Sequence, residues 1–160
     1  PIIRFVETYK AIKKYQIKCV LVGTEEEKKY ADRFMRYVRD CNNIINLIGK
    51  TDINSYFGII ARSEFVLSGD TSAAHIAASL NVPSICITGG WQYNRFFPYP
   101  DDICLNPPVI CRSDQDCYGC NGKYSKSCRE SIGRHECMKC LFEVESKRVI
   151  QEIENILGAR

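Results

Sequence analysis

Phe65-Val66-Leu67-Ser68-Gly69-Asp70-Thr71-Ser72-Ala73-Ala74-His75-Ile76-Ala77-Ala78-Ser79-Leu80-Asn81-Val82-Pro83-Ser84-Ile85-Cys86-Ile87-Thr88-Gly89-Gly90 is the stretch on which the fold reading turns. An apolar run meets a tight Gly-Asp turn, then a helix of small residues, an Asn-x-Pro stop and a second apolar run. This order predicts a β-α-β crossover. Asp70 and Thr71 are both good helix caps, so the helix is expected to begin there, with its amides and positive dipole end at the carboxyl edge of a parallel sheet. Such a place attracts phosphate.

Outward from this unit the alternation continues. Phe5, Tyr9 and Ile12 repeat at helical spacing ahead of the apolar run Cys19-Val20-Leu21-Val22. Glu26 to Cys41 sets Tyr30, Phe34, Tyr37, Val38 and Cys41 on one helical face, with acids in the first turn and arginines later. Ile44 to Ile48 reads as a strand. Thr51 or Asp52 can cap a helix carrying Ile53, Tyr56, Phe57 and Ile60. Short connections between strands and helices predict a Rossmann-like, doubly wound parallel sheet, with ligands at the carboxyl ends of its strands. After Thr88 the chain turns aromatic and rich in Pro and Cys. A last amphipathic helix, residues 146–157, carries Val149, Ile150, Ile153, Ile156 and Leu157.

With 160 residues, 45% hydrophobic and 26% charged, the sequence suits one soluble domain spanning residues 1–160. No run approaches the roughly 18 apolar residues of a membrane span. A net charge of +3 argues against a nucleic-acid partner. Lys29, Arg33 and Arg36 make a basic helical stripe that could rest on anionic lipid, although a solvated outer face is the preferred reading. The opening residues Pro1 to Glu7 lack both an initiator Met and a signal peptide's basic start, as in a chain cut from something longer.

Several residues carry candidate chemistry. Asp70 can cap the helix or accept hydrogen bonds from a ligand, and Thr71 and Ser72 can offer hydroxyls and amides to a diphosphate. His75 shares a helix face with Thr71; its imidazole would stabilise a leaving nucleoside diphosphate or simply pack. Gly23 leaves room for a nucleotide at a strand end. Glu25 can either bind ribose hydroxyls or complement the helix dipole. Lys50 and Thr51, at another strand's carboxyl end, are expected to line the nucleoside pocket, and Trp91 and Arg95 to lie at its rim or in core and surface.

Seven of the ten cysteines fall in residues 104–140. Cys117-x2-Cys120 and Cys137-x2-Cys140 have the spacing of a four-thiolate structural zinc site, a closed shell with no open position for catalysis. Cys104, Cys111, Cys128 and His135 are rival ligands, and disulfides fit the same residues in an oxidising compartment. Either way the segment reads as a clasp for the last helix.

Asp70-Thr71-Ser72-x-x-His75-x-Ala77-Ala78 followed by Val82-Pro83 and a strand resembles the donor-side signature of bacterial heptosyltransferases, glycosyltransferase family nine, with Ser72 where the family usually has Gly. Val20-Leu21-Val22-Gly23 with Glu25-Glu26-Glu27, Asn46 to Thr51, Gly89-Gly90-Trp91 and Arg95 to Pro100 look like further family segments. The resemblance implies the nucleotide-sugar-binding, carboxyl-terminal half of a GT-B glycosyltransferase, with Gly23, Glu25, Lys50, Thr51, Asp70, Thr71, Ser72 and His75 as donor-binding residues and Asp70 close to the transferred sugar. It implies metal-independent, inverting transfer of heptose from ADP-heptose to a lipid-linked lipopolysaccharide core, in the bacterial cytoplasm or peripherally on the inner membrane. In relatives the general base is an acid on the amino-terminal domain, which also holds the acceptor. No catalytic residue is therefore expected in these 160 residues, which should transfer nothing alone. The competing expectation is a non-catalytic, zinc-clasped interaction module. A nucleotide-sugar epimerase of related architecture is disfavoured, because its other motifs are missing.

Overall fold

The computed structural model describes residues 1–100 and 103–158; residues 101, 102, 159 and 160 of the expected 1–160 domain lie outside the described residues. The chain divides into two compact units, Ile2–Ile59 and Ile60–Arg160, the latter with Pro1. All strand pairs are parallel, as the alternation predicts, in two separate ladders.

In the Ile2–Ile59 unit, α1 (Ile2–Ile12), β1 (Cys19–Leu21), α2 (Lys28–Val38) and β2 (Ile44–Asn46) follow in order, β1 pairing β2 with Val20 opposite Ile45. Val6, Tyr9, Phe34 and Val38 form the core, with Cys19, Leu21 and Ile44 packed against it. The Tyr9 and Phe34 rings meet edge to face, centroids 5.7 Å apart, a geometry worth about 0.5–1.5 kcal/mol beyond the buried area. The expected face of α2 needs correction at three positions: the helix ends at Val38, so Cys41 lies beyond it, though still packed against the core, and two tyrosines fall off the face. Ala31, Phe34 and Val38 are buried, whereas Tyr30 and Tyr37 are 43% and 45% exposed, because a contact face at i, i+3 and i+7 leaves Tyr30 and Tyr37 on its flanks. The acidic residues Glu25–Glu27 form a short 3-10 turn before α2. There Glu27 Oε2 accepts the Thr24 amide at 2.8 Å and the Thr24 hydroxyl at 3.3 Å, a capping arrangement. Asp52 similarly caps α3 (Ile53–Ala61), its carboxylate accepting the Ser55 amide at 2.7 Å.

In the second unit β3 (Val66–Gly69), β4 (Ser84–Ile87) and β5 (Val109–Cys111) lie in that order, Leu67 opposite Ile85 and Cys86 opposite Ile110. α4 (Ser72–Ser79) is the crossover helix between β3 and β4. Its alanines let it sit close to the strands, and Ala74 and Ala77 are fully buried. It ends as the Asn-x-Pro signal predicts: Asn81 takes the left-handed conformation (φ 57°) and the Val82 amide bonds back to the Ala77 carbonyl at 2.8 Å. α5 (Lys126–His135) and α6 (Lys139–Phe142) pack together, and α7 (Ser146–Gly158) lays Val149 and Ile153 against β4 and β5. Each such fully buried aliphatic contributes about 1.5–3 kcal/mol. Strand β5 and helices α5 and α6 have no counterpart in the sequence reading.

Candidate functional site

β3 ends at Gly69, and the chain turns through Asp70 into α4 with Thr71 as the N-cap residue (φ −141°, ψ 174°). The Thr71 side chain makes no capping hydrogen bond, and Thr71 and Ser72 are both exposed. Among the described residues no side-chain oxygen caps the first turn; the Ala74 amide bonds to the Thr71 carbonyl at 3.1 Å, and the Ser72 and Ala73 amides keep their capacity and partial positive charge for an anion. Asp70 does not cap the helix as expected. Its side chain is only 5% exposed, and its carboxylate lies 3.8 Å from His75 Nε2 instead. Burial raises the Asp70 pKa above its ordinary value, and the neighbouring imidazole works in the opposite direction.

His75 is held by an aromatic frame that the sequence reading did not anticipate. Its ring stacks on Phe97 (centroids 4.8 Å apart, planes 6° apart), meets Phe96 edge-on at 5.7 Å, and shares a hydrogen bond between Nδ1 and the Tyr99 hydroxyl. When Tyr99 donates to Nδ1, the proton resides on Nε2, the nitrogen that faces Asp70. Packing and ligand chemistry were alternatives for His75; the structure gives it a fixed orientation and leaves its side chain 37% exposed. Phe96, Phe97 and Tyr99 come from the run Arg95-Phe96-Phe97-Pro98-Tyr99-Pro100, whose density of aromatics was the available signal.

Asp70 also lines a cavity of about 190 Å³, together with Thr88, Gln92, Tyr93, Phe97 and Arg112. Arg112 sits 5.4 Å from the Tyr93 ring and 5.0 Å from the Tyr118 ring. The Tyr118 hydroxyl is hydrogen-bonded to the Thr88 hydroxyl, which steadies that wall. Trp91 covers Gly89, where any Cβ would run into the indole ring. Arg95 is exposed.

The remaining expected residues belong to the Ile2–Ile59 unit and gather at the carboxyl ends of β1 and β2. The Gly49 amide donates to the Gly23 carbonyl at 2.9 Å, so the two strand-end glycines are neighbours. Gly49 has φ 69°, and a Cβ there would meet the Glu25 carboxylate. Glu25 is also paired with Lys28 at 3.6 Å with both side chains well exposed. Lys50 is exposed and Thr51 half-buried, directly after Gly49. Gly23, Glu25 and Lys50 thus cluster at one sheet end, where α/β folds hold ligands.

All ten cysteines are free thiols, and among the described residues no group of three or more His, Cys, Asp or Glu side chains is arranged to hold a metal ion. Cys117 is exposed, while Cys140 is buried with its sulfur accepting the Gly90 amide at 3.4 Å. Burial raises the pKa of Cys140 and of Cys137. The rival ligand His135 stacks on Phe142, centroids 3.7 Å apart. Hydrogen bonds tie the segment together: Ser113 Oγ donates to the Cys140 carbonyl at 2.8 Å and Ser131 Oγ to the Cys137 carbonyl at 3.0 Å.

Two solved structures share this architecture. The E. coli ADP-heptose LPS heptosyltransferase II superposes with a TM-score of 0.70 at 18% identity, over 99% of this chain and 42% of that one. A family 9 glycosyl transferase from Veillonella parvula DSM 2008 gives 0.71 at 18% identity, over 100% of this chain and 42% of that one. The chain thus has the Rossmann-like α/β fold of GT-B-like glycosyltransferases and spans less than half the length of these two proteins. Among curated proteins no sequence matches it. Residues 1–126 match the model of glycosyltransferase family 9 (heptosyltransferase), and the chain belongs to that family.

Proposed function

We propose that residues 1–160, with the Cys-rich segment 104–140 and the final helix, form the nucleotide-sugar-binding part of an inverting, metal-independent glycosyltransferase. Thr71, Ser72 and the amides behind them receive the diphosphate, and Asp70 and His75 flank the sugar. The observation that carries this reading is the uncapped amino end of α4 beside a buried carboxylate and a fixed imidazole.

In the reaction an acceptor hydroxyl oxygen attacks the anomeric carbon, the bond from that carbon to the diphosphate breaks, and the nucleoside diphosphate leaves with the electron pair. The hydroxyl proton passes to a base on the domain that binds the acceptor, so these residues alone transfer nothing. The dipole end of α4 and the Nε2–H of His75 stabilise the charge that grows on the leaving group. Membership of the heptosyltransferase family supports heptose from ADP-heptose as donor and a lipid-linked lipopolysaccharide core as acceptor. An acceptor of that kind places the protein at the cytoplasmic face of the inner membrane; no described helix is long and apolar enough to cross it.

Isothermal titration with ADP, ADP-heptose, UDP and UDP-glucose tests the proposal. Binding of at least one nucleotide, lost in Ser72→Asp, is the expected result. Failure of all four to bind, or equal binding to the variant, would leave the chain a non-catalytic module.

A further inference from the structure

Asp70, Gln92 and Arg112 present polar side chains to one small cavity. The Asp70 side chain is 5% exposed, and its carboxylate accepts no hydrogen bond among the described residues, since His75 Nε2 is too far at 3.8 Å. The Arg112 guanidinium makes no ion pair among the described residues and faces only the Tyr93 and Tyr118 rings. The Gln92 side chain makes no hydrogen bond among the described residues, although its own amide is anchored on the Gly89 carbonyl at 3.2 Å. A buried carboxylate without donors is costly to maintain, so a site that keeps one is built around donors arriving from elsewhere.

The charges decide the class of visitor. An anionic group drawn to Arg112 would meet the Asp70 carboxylate in the same cavity, and a cationic group drawn to Asp70 would meet the Arg112 guanidinium. A neutral ligand that both donates and accepts suits both. The Tyr93 and Phe97 rings on the wall provide flat apolar surface for the C–H face of a ring. Size excludes the rest of the donor. The volume of about 190 Å³ lies below the roughly 300–1,000 Å³ of pockets that enclose drug-sized molecules, so a nucleoside diphosphate does not fit with a sugar.

We infer that this cavity admits one neutral, polyhydroxylated sugar ring, and that Arg112 and Gln92 determine which sugar is accepted. Asp70 takes hydroxyl hydrogens, Arg112 and Gln92 give hydrogen bonds to hydroxyl oxygens, and the diphosphate stays outside. The assignment rests on the donor-binding role proposed above and adds two specificity residues to it.

The test compares the affinity of the protein for ADP-heptose with that for ADP, and in parallel UDP-glucose with UDP, in wild type, Arg112→Gln and Gln92→Leu. Losing a hydrogen bond from a charged donor costs about tenfold or more in affinity and one from a neutral amide about fivefold, so Arg112→Gln should weaken the nucleotide-sugar by about tenfold or more, Gln92→Leu by about fivefold, and either variant the bare nucleotide by less than about twofold. Gln92 is half-buried with no internal side-chain partner, so its variant folds even where Arg112→Gln does not. An unchanged ratio of sugar-nucleotide to nucleotide affinity in Gln92→Leu overturns the inference while leaving nucleotide binding intact. Wild type that binds no nucleotide overturns the donor-binding role itself.

Discussion

Replacing Phe97 tests whether the aromatic frame both supports the fold and orients the imidazole. Its ring is 4% exposed, packs with Ala74 and Cys86 and the partly buried Tyr99 and Ile110, and stacks on His75 at 4.8 Å. Truncating a buried phenylalanine to alanine costs about 3–5 kcal/mol through lost burial and the cavity left behind. For a chain of this size each kcal/mol moves Tm by about 2–4 °C, so Phe97→Ala should melt about 6–20 °C lower. Phe97→Leu refills most of the volume and loses chiefly the ring pairing, about 0.5–1.5 kcal/mol. It should therefore melt only about 1–6 °C below wild type. Thermal unfolding followed by circular dichroism separates the two, and titration with a nucleotide-sugar reads the site. Both variants should bind the nucleotide-sugar more weakly, because His75 loses its platform and the cavity its wall. Leucine and alanine variants that melt together, or an alanine variant within about 1 kcal/mol of wild type, would refute the packing assigned to Phe97.

Ser72→Asp places a carboxylate in the first turn of α4, where it should raise stability by about 0.3–1 kcal/mol while competing with a phosphate for the same amides. Opposite signs in Tm and nucleotide affinity are expected; a fall in both would mean the helix end is merely structural. Asp70→Asn removes a carboxyl whose pKa burial raises in the folded state. Such a group costs stability when ionised, so the variant should melt higher than wild type at neutral pH. That advantage should shrink as pH falls through the raised folded value and vanish below the ordinary 3.8. A variant that melts lower at neutral pH would assign Asp70 a supporting role. Cys117→Ser should change the stability of the metal-free protein by no more than about 0.5 kcal/mol, because the thiol is exposed. A large loss, with zinc found in the wild-type protein, would support the four-thiolate site. Gly49→Ala should weaken the Ile2–Ile59 unit, since the left-handed backbone and the adjacent Glu25 carboxylate both oppose a Cβ.

The crossover from Phe65 to Gly90 was legible because each signal acts locally: an apolar run for β3, small residues for α4, an Asn-x-Pro stop, and a second run for β4. The position of the helix start was legible to within a residue. The direction of the Asp70 side chain was not, because whether an aspartate caps or turns inward depends on His75 and on a cavity built by residues far along the chain. The same holds for His75, whose environment is set by Phe97 and Tyr99, more than twenty positions away. β5 is three residues long in a stretch dense in proline, and no periodicity can mark so short a strand. Tyr30 and Tyr37 were misplaced since a 3.6-residue period assigns a face only to within a flank. Cysteine spacing suggests a four-thiolate shell, and spacing alone does not report that α5 lies between the two Cys-x2-Cys pairs or that Cys140 is buried.

Backbone amide NMR of the protein titrated with ADP reads directly whether the amino end of α4 receives the donor's diphosphate. Saturable shifts of the Ser72 and Ala73 amide resonances are expected. Saturable binding that leaves those amides unmoved, with shifts confined elsewhere, would contradict that role.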